Sequence, residues 1–527
     1  MVRVLVTDNV AQEGIEVLRR AQLEVEVRNK LAEDELCEII PRFDGIIVRS
    51  ATGVTARVID RAGNLKIIGR AGVGVDNIDV PAATARGIIV VNAPDGNTMA
   101  ATEHTMALML SLARNVPQAD ARLKSGAWDK KAFVGVELRN KSLGVLGLGR
   151  IGSGVARRAY AMEMDVLACD PYISEERARE LGVTLLPLAD VFRRSDFITI
   201  HMPLTKETHH LLDDAAFALM KDGVRIINCA RGGILDEEAL YRAMTTGKVA
   251  GAALDVFEVE PQTTSPLLGL PNFIGTPHLG ASTREAQVSV AVDVAEEVIA
   301  ALHGELVKNA VNIPSLKPDV LKDVGPYMGL AEKLGRFHAQ LLIGRLNRVE
   351  ITYSGELAAF RQVEPLTTAL IKGVLDNILQ ERVNYVNALL IAKNRGIEIS
   401  QTRVDRAEDY TGLIAVKVIS SEGEHELAGT LFRGDDARVV FINGYRVDAV
   451  PEGHMLIISH TDKPGIIGAV GTLLGEHEVN IAAMQVGRKR IGGKAVMVLT
   501  VDSPVPPETL EQITTVDGIM AVRMVSL

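Results

Sequence analysis

Cysteine, aromatic residues and long uncharged apolar runs are all scarce in this chain. Its three cysteines, Cys37, Cys169 and Cys229, lie far apart and form no CxxC pair. That excludes a disulfide-stapled scaffold and the common cysteine metal or redox motifs, and it fits reduced thiols in a cytosolic protein with no metal site. Aromatics are 4% of 527 residues, although total apolar content is ordinary for a globular protein. No segment reaches the roughly 18 uncharged apolar residues of a membrane span. The start, Met1 to Asp8, reads as a β-strand ended by an acid and lacks a signal peptide's apolar length and cleavage site. Positive charge is in deficit: the formal net charge of −10 argues against nucleic acid or an anionic membrane as the main partner. A local basic pocket, which an anionic substrate needs, remains compatible with that balance.

What is present is length enough for about three to four domains. Residues 1 to about 96 alternate strand-like and helical runs, as in a small parallel α/β unit. A helix candidate from Met99 to Ala113, capped by Asn97 or Thr98, leads to a second series of strands from Leu143 to Thr276. An Ala- and Val-rich helix, Arg284 to His303, is long enough to return to the first unit. The expected architecture is α/β, with two Rossmann-like doubly wound domains and one inserted in the other: 1–96 with 283–312, interrupted by 97–282. Prolines between Pro314 and Pro326 predict a linker. Beyond it, helical runs (Leu366–Leu379, Tyr385–Asn394) precede strands with an Asn443-Gly444 hairpin signal, an α+β domain over 317–452. Residues 455–527 read β-α-β-β-α-β, the ferredoxin-like order.

The densest motif is Gly147-Leu148-Gly149-Arg150-Ile151-Gly152, between a strand-like run and a helix-like run. The first glycine makes the tight turn. The second admits a pyrophosphate to the backbone, and the third lets helix and strand pack closely. Asp170 ends the next strand at about the expected offset of 20 residues, where a carboxylate meets the adenosine ribose and repels a 2′-phosphate. These features predict a bound NAD. Three further residues fall where strands of the same sheet end: Arg231, Glu260 and His278. Ligands of such sheets lie outside the carboxyl ends of strands. Oxidising a hydroxyl with NAD takes a base for its proton, a group that orients that base, and a cation for the neighbouring carboxylate. Histidine, carboxylate and arginine suit those roles in turn.

Arg70-Ala71-Gly72-Val73-Gly74-Val75-Asp76-Asn77, the glycine motif, Asn228-Cys229-Ala230-Arg231-Gly232-Gly233, Ala253-Leu254-Asp255-Val256-Phe257 and Pro277-His278-Leu279-Gly280-Ala281-Ser282-Thr283 occur in one order. Together they resemble the D-isomer-specific 2-hydroxyacid dehydrogenases, densely over the first 312 or so residues. The remainder resembles the long branch of that family, which adds an intervening domain of the anion- or substrate-binding type and a C-terminal ACT regulatory domain. The resemblance implies a catalytic trio of Arg231, Glu260 and His278. It implies that Arg150, Ile151, Asp170, Cys229, Ala230, Asp255, His278, Gly280 and Ala281 line the cofactor with the glycines. Substrate contacts would come from Arg49, Ser50, Val73, Gly74, Arg231 and His278, with Lys130 or Lys131 possible donors from a neighbouring subunit. Many relatives carry Lys where this chain has Gly53, so one expected positive charge is missing. The implied reaction is NAD-linked oxidation of 3-phosphoglycerate to 3-phosphohydroxypyruvate, the entry step to serine, in a cytoplasmic homotetramer. The run His460-Thr461-Asp462-Lys463-Pro464-Gly465 with Asn480 resembles an ACT ligand loop, so L-serine is expected at His460, Asp462 and Asn480. Two rivals stand beside this: a dehydrogenase of another D-2-hydroxyacid such as 2-hydroxyglutarate, and a non-enzymatic NADH-sensing interaction protein.

Overall fold

The computed structural model describes residues 2–305, 307–313, 318–376, 378–379, 383–407 and 409–527. The first sheet holds β1 (Arg3–Val6), β2 (Glu24–Val27), β3 (Gly45–Val48), β4 (Ile67–Arg70) and β5 (Ile89–Asn92), all parallel, in the order β2-β1-β3-β4-β5. Every residue of β3, Gly-Ile-Ile-Val, is buried, the continuous apolar run of a parallel strand covered on both faces. One cover is the helix Arg284–Leu302, whose Val290, Ala291, Val294, Ala295 and Val298 share a core with Val4, Val6, Ile47 and Ile67. The chain then rejoins β5: Val311 N donates to Val90 O at 2.7 Å, and Asn312 Oδ1 accepts from Val90 N at 2.9 Å. Both ends of the first 313 residues therefore share one core and one sheet edge.

The second sheet lies between them in sequence. It holds β6 (Ser142–Leu146), β7 (Asp165–Cys169), β8 (Thr184–Leu185), β9 (Phe197–Ile200), β10 (Val224–Asn228), β11 (Val249–Leu254) and β12 (Phe273–Gly275). Its parallel order is β12-β11-β10-β9-β6-β7-β8. Strand order reverses between β6 and β9, so the turn after β6 opens at the switch point where such sheets bind ligands. The helix Thr98–Arg114 buries Met106, Leu108, Met109 and Leu112 against this sheet.

Where the prolines predict a linker over 314–326, residues 314–317 lie outside the described residues and the chain is helical from Pro318 to Leu341. Pro326 sits inside that helix. Val324, Tyr327, Met328, Leu330, Ala331 and Leu334 are buried along it, and that packing outweighs proline's local cost. Next comes a six-stranded sheet of β13 (Leu346–Gly355), β14 (Glu398–Val404), β15 (Gly412–Ser420), β16 (Gly423–Phe432), β17 (Asp436–Ile442) and β18 (Tyr445–Ala449), ordered β14-β13-β15-β16-β17-β18. The last four match the expected strands. The first two do not appear in the sequence pattern: β13 carries a register shift between Leu346 and Arg348, and β14 is an edge strand with almost no buried side chain.

The last sheet, β19 (His454–Thr461), β20 (Ile481–Arg488), β21 (Lys494–Val501) and β22 (Ile519–Ser526), has the order β20-β21-β19-β22 and helices Ile466–Glu476 and Pro507–Thr515. This is the expected βαββαβ unit. Its central strands alternate cleanly. Leu456, Ile458, Met497 and Leu499 face the unit's own helices, whereas Met455, Ile457, Val496 and Val498 join the core of the preceding unit. That preceding unit in turn touches the first: Asn384 Nδ2 donates to Gly87 O at 2.6 Å.

Candidate active site

The glycine turn is built as a dinucleotide site requires. Gly147 has φ 93°, and a Cβ there would lie 2.5 Å from His201 O. A Cβ on Gly152 would lie 2.0 Å from Gly147 O, so the helix Arg150–Ala161 can meet the strand only with glycine there. Gly149, by contrast, has open space where its Cβ would be. The helix has no acidic residue in its first turn and no side-chain cap, so no carboxylate competes for its N-terminal amides. Asp170 Oδ2 accepts from Leu148 N at 2.7 Å and Oδ1 from Tyr172 N at 2.8 Å. Each oxygen keeps a further lone pair for a ribose hydroxyl. Arg150 is ion-paired with Asp95 of the facing unit. Cys229 is mostly buried, and burial pushes its thiol up to about 12, so it lines the site as a neutral group.

Arg231, Glu260 and His278 follow the adjacent strands β10, β11 and β12 at their carboxyl edge. His278 Nδ1 lies 2.8 Å from Glu260 Oε2, and Glu260 Oε1 accepts from Phe257 N at 3.0 Å. His278 sits in the left-handed region at φ 55° and is half exposed. Its turn hangs on Asp255, which is only 1% exposed. Asp255 Oδ1 accepts from Thr276 Oγ1 at 2.6 Å and Leu279 N at 2.7 Å, and lies 3.1 Å from His104 Nε2; Oδ2 accepts from Gly280 N at 2.8 Å. Burial alone would raise this carboxyl, but the bonds from His104, Thr276 and Leu279 outweigh it and hold it below the ordinary range.

Arg231 reaches across to the first unit. Its NH1 donates to Ala230 O at 2.7 Å, and its Nε lies 3.4 Å from Asp76 Oδ2. Beside it stands Arg70, at the end of β4, for which the sequence patterns predict no role. Burial, then the neighbouring charge of Arg231, pulls the Arg70 guanidinium down to about 10, and its buried Nε has no partner among the described residues. The carboxylates of Asp76 and Asp8 offset only part of that cost. Arg49 precedes Ser50 in a loop braced on both sides. Asp8 Oδ2 accepts from Arg49 N and Thr52 N, each at 2.9 Å; Asn77 Nδ2 donates to Arg49 O at 2.7 Å. The Val73 and Gly74 amides are unused among the described residues. A Cβ on Gly53 would make only an ordinary contact, 3.9 Å from Thr55 Cγ2. Lys130 and Lys131 are exposed beside Trp128 and Val134 and touch none of these groups within the chain.

The strand-end rule that finds Arg231 would also find Arg70. Nothing local signals His104, and although Asp8 and Thr276 end strands, their partners lie in other segments. In the last unit, Asp462 is already engaged: Arg488 NH1 lies 2.9 Å from its Oδ2, which also accepts from Gly492 N at 3.2 Å. The bond from Arg488 holds that carboxyl below its usual range. His460 is buried, with Nδ1 3.0 Å from Thr461 O and Nε2 unpartnered among the described residues. Asn480 Nδ2 donates to Asp502 Oδ2 at 2.7 Å.

Comparison with known proteins gives three family matches. Residues 106–280 match the NAD binding domain of D-isomer specific 2-hydroxyacid dehydrogenases, 323–443 the D-3-phosphoglycerate dehydrogenase intervening domain, and 454–518 the ACT domain. D-3-phosphoglycerate dehydrogenase of Synechocystis sp. is 49% identical over 100% of this chain and 95% of its own length. That of Archaeoglobus fulgidus is 49% identical over 100% of both. A solved structure of D-lactate dehydrogenase from Aquifex aeolicus, complexed with NAD and lactic acid, is 32% identical with a TM-score of 0.53, covering 59% of this chain and 100% of that one.

Proposed function

This chain belongs to the D-3-phosphoglycerate dehydrogenases of the D-isomer-specific 2-hydroxyacid dehydrogenase family, and we propose that His278, Glu260 and Arg231 carry its chemistry. The activity is NAD-dependent oxidation of 3-phosphoglycerate to 3-phosphohydroxypyruvate. The observation that carries the site assignment is the 2.8 Å contact of His278 Nδ1 with Glu260, at the strand edge beside the glycine turn.

NAD, when bound, supplies the hydride acceptor. Gly149 and the first amides of its helix would hold the pyrophosphate, and Asp170 would hold the adenosine ribose and turn away a 2′-phosphate. Asp255 Oδ2, with a single donor, together with Cys229 and the His278–Ala281 turn, would line the cofactor. His278 uses Nε2 to take the proton of the substrate's 2-hydroxyl. Glu260, on Nδ1, fixes the tautomer and stabilises the imidazolium that forms. Arg231 and the amides of Val73 and Gly74 hold the carboxylate. Arg49 and Arg70 supply positive charge for the remaining anionic group, which answers the missing lysine at Gly53.

L-serine is the proposed regulator at His460, Asp462 and Asn480, and a cytoplasmic homotetramer the proposed assembly. The unpartnered His460 Nε2 supports the first, and the exposed Trp128 (78%) and Val134 (82%) support the second. Steady-state NAD reduction with 3-phosphoglycerate, with and without serine, tests the activity and its regulation. Turnover of 2-hydroxyglutarate but not 3-phosphoglycerate would overturn the substrate, and NADH binding without any turnover would favour the interaction protein. No serine heat by calorimetry would remove the regulatory site.

A further inference from the structure

The segment that carries Glu260 is clasped from behind. Glu258 N donates to Glu237 Oε1 at 2.7 Å, and Glu237 N donates back to Glu258 Oε1 at 3.2 Å. Glu237 opens the helix Glu237–Thr245. The next amide along, Phe257 N, donates to Glu260 Oε1. On the opposite side Gly232 leaves no room: a Cβ there would lie 1.8 Å from Phe257 O. The segment is thus fixed by Gly232 on one side and by Glu237 on the other, and its end bears the partner of His278.

We propose that Glu237 is a positioning residue for the hydride-transfer site: its carboxylate sets the Phe257–Glu260 segment and, through Glu260, the aim of the His278 ring. This rests on the assignment of His278 as base.

The surroundings argue that the charge of Glu237 is used. Glu258 and Glu260 face it from the loop after β11. His210, from the segment before β10, lies 3.1 Å from Glu258 Oε1. Asp236 caps its helix, which also carries Glu238 and Arg242, and Arg242 is taken up by Asp214 at 2.7 Å. Burial, then repulsion from Glu258 and Glu260, pushes the Glu237 carboxyl up, against the lowering bond from Glu258 N. A glutamine would accept the same amide without that repulsion. The acid is favoured by the helix N-terminus, and it adds negative charge behind the Glu260–His278 pair, where a protonated imidazole must form.

The test compares Glu237→Ala and Glu237→Gln with wild type in steady state, using NAD and 3-phosphoglycerate, over pH. Wild-type turnover is measured first; its absence would overturn the activity reading, separately from this inference. Glu237→Ala should lose about 10- to 100-fold in kcat, the effect of a small misplacement of a catalytic group, with the KM for NAD little changed. Glu237→Gln should recover most of that kcat, because its amide oxygen accepts the Glu258 N–H. Its kcat/KM should also hold up to lower pH than in wild type, because a negative charge favouring protonation nearby is gone. Wild-type kcat in Glu237→Ala, or equal deficits in both variants with an unmoved pH profile, would overturn the proposal.

Discussion

Asp255→Asn should uncouple the catalytic turn from the sheet. At 1% exposure, Asp255 lies where water cannot replace a lost acceptor. In the best orientation of the amide, its oxygen keeps the Thr276 and Leu279 donors, and its NH2 is turned on Gly280 N, the donor that Oδ2 accepts at 2.8 Å. One bond to a charged group disappears and leaves two donors face to face, at about 2–3 kcal/mol; the remaining bonds weaken from charged to neutral acceptor, for a total of about 3–5 kcal/mol. In a unit of this size that corresponds to a fall in melting temperature of roughly 10 °C. The sign with pH follows from the depressed carboxyl. Its stabilisation is complete above the unfolded value near 3.9 and is lost as pH falls through the lower folded value. Melting of wild type and variant by calorimetry from pH 8 to 4 should therefore show a nearly constant gap, which closes only at pH below that range. Turnover should fall with stability, because Leu279 and Gly280 follow His278 directly. A melting temperature within about 1 °C of wild type, with kcat unchanged, would refute the role of Asp255 as the anchor.

His278→Ala should bind NADH as wild type does, by fluorescence titration, yet lose about 10²–10⁴-fold in kcat; an unchanged rate removes His278 from the chemistry. Asp170→Ala should narrow the preference for NAD over NADP, read as the ratio of kcat/KM values, and weaken NADH binding because Leu148 N loses its acceptor. Unchanged discrimination would assign cofactor choice to another residue. Gly87→Ala combines φ 69° with a Cβ 2.7 Å from Asn384 Nδ2; hydrogen exchange should rise on both sides of that contact, in residues 84–90 and 383–388, and unaltered exchange would show that the contact carries no load.

The parts legible in the sequence are those whose signal is local. Gly147, Gly149 and Gly152 announce themselves because turn, approach and packing all act within six residues. Arg231, Glu260 and His278 are proposed because each follows a strand of a pattern that can be traced by eye. Asp255 shows the limit. It stands in a recognisable motif as a cofactor-lining residue, but its partners His104 and Thr276 come from segments 151 and 21 residues away, and no spacing rule joins them. Strand β14 escapes for the opposite reason: at the sheet edge it buries almost nothing, so no period of two is written into Glu398–Val404. Pro326 misleads because a single residue's propensity is local, whereas the apolar face that keeps its helix intact pays off only on packing.

The same limit governs regulation, because the path from the ACT unit to the substrate loop is wholly tertiary. Met455, Ile457, Val496 and Val498 share one core with the helix Pro318–Leu341 and its sheet. That unit meets the first through Asn384 and Gly87, two residues before β5. At the far end of β5, the Asn92 side chain holds Val73 O, in the loop whose amides are the proposed substrate contacts. Contiguity alone does not make a switch; a ligand moves an equilibrium only by binding two states unequally. Asp462 supplies such a difference. Its Oδ2 is engaged by Arg488, so in the proposed serine site an amino group drawn to that oxygen would compete with the guanidinium at the end of β20. The neighbouring Gly487 already packs against Arg446 O and Val447 of β18, with a Cβ position 2.5 Å from that carbonyl. Release of Arg488 therefore acts where the two units touch. Arg488→Ala should tighten serine binding while leaving less of the binding energy to reach the dehydrogenase, which calorimetry and inhibition curves on the same protein would separate.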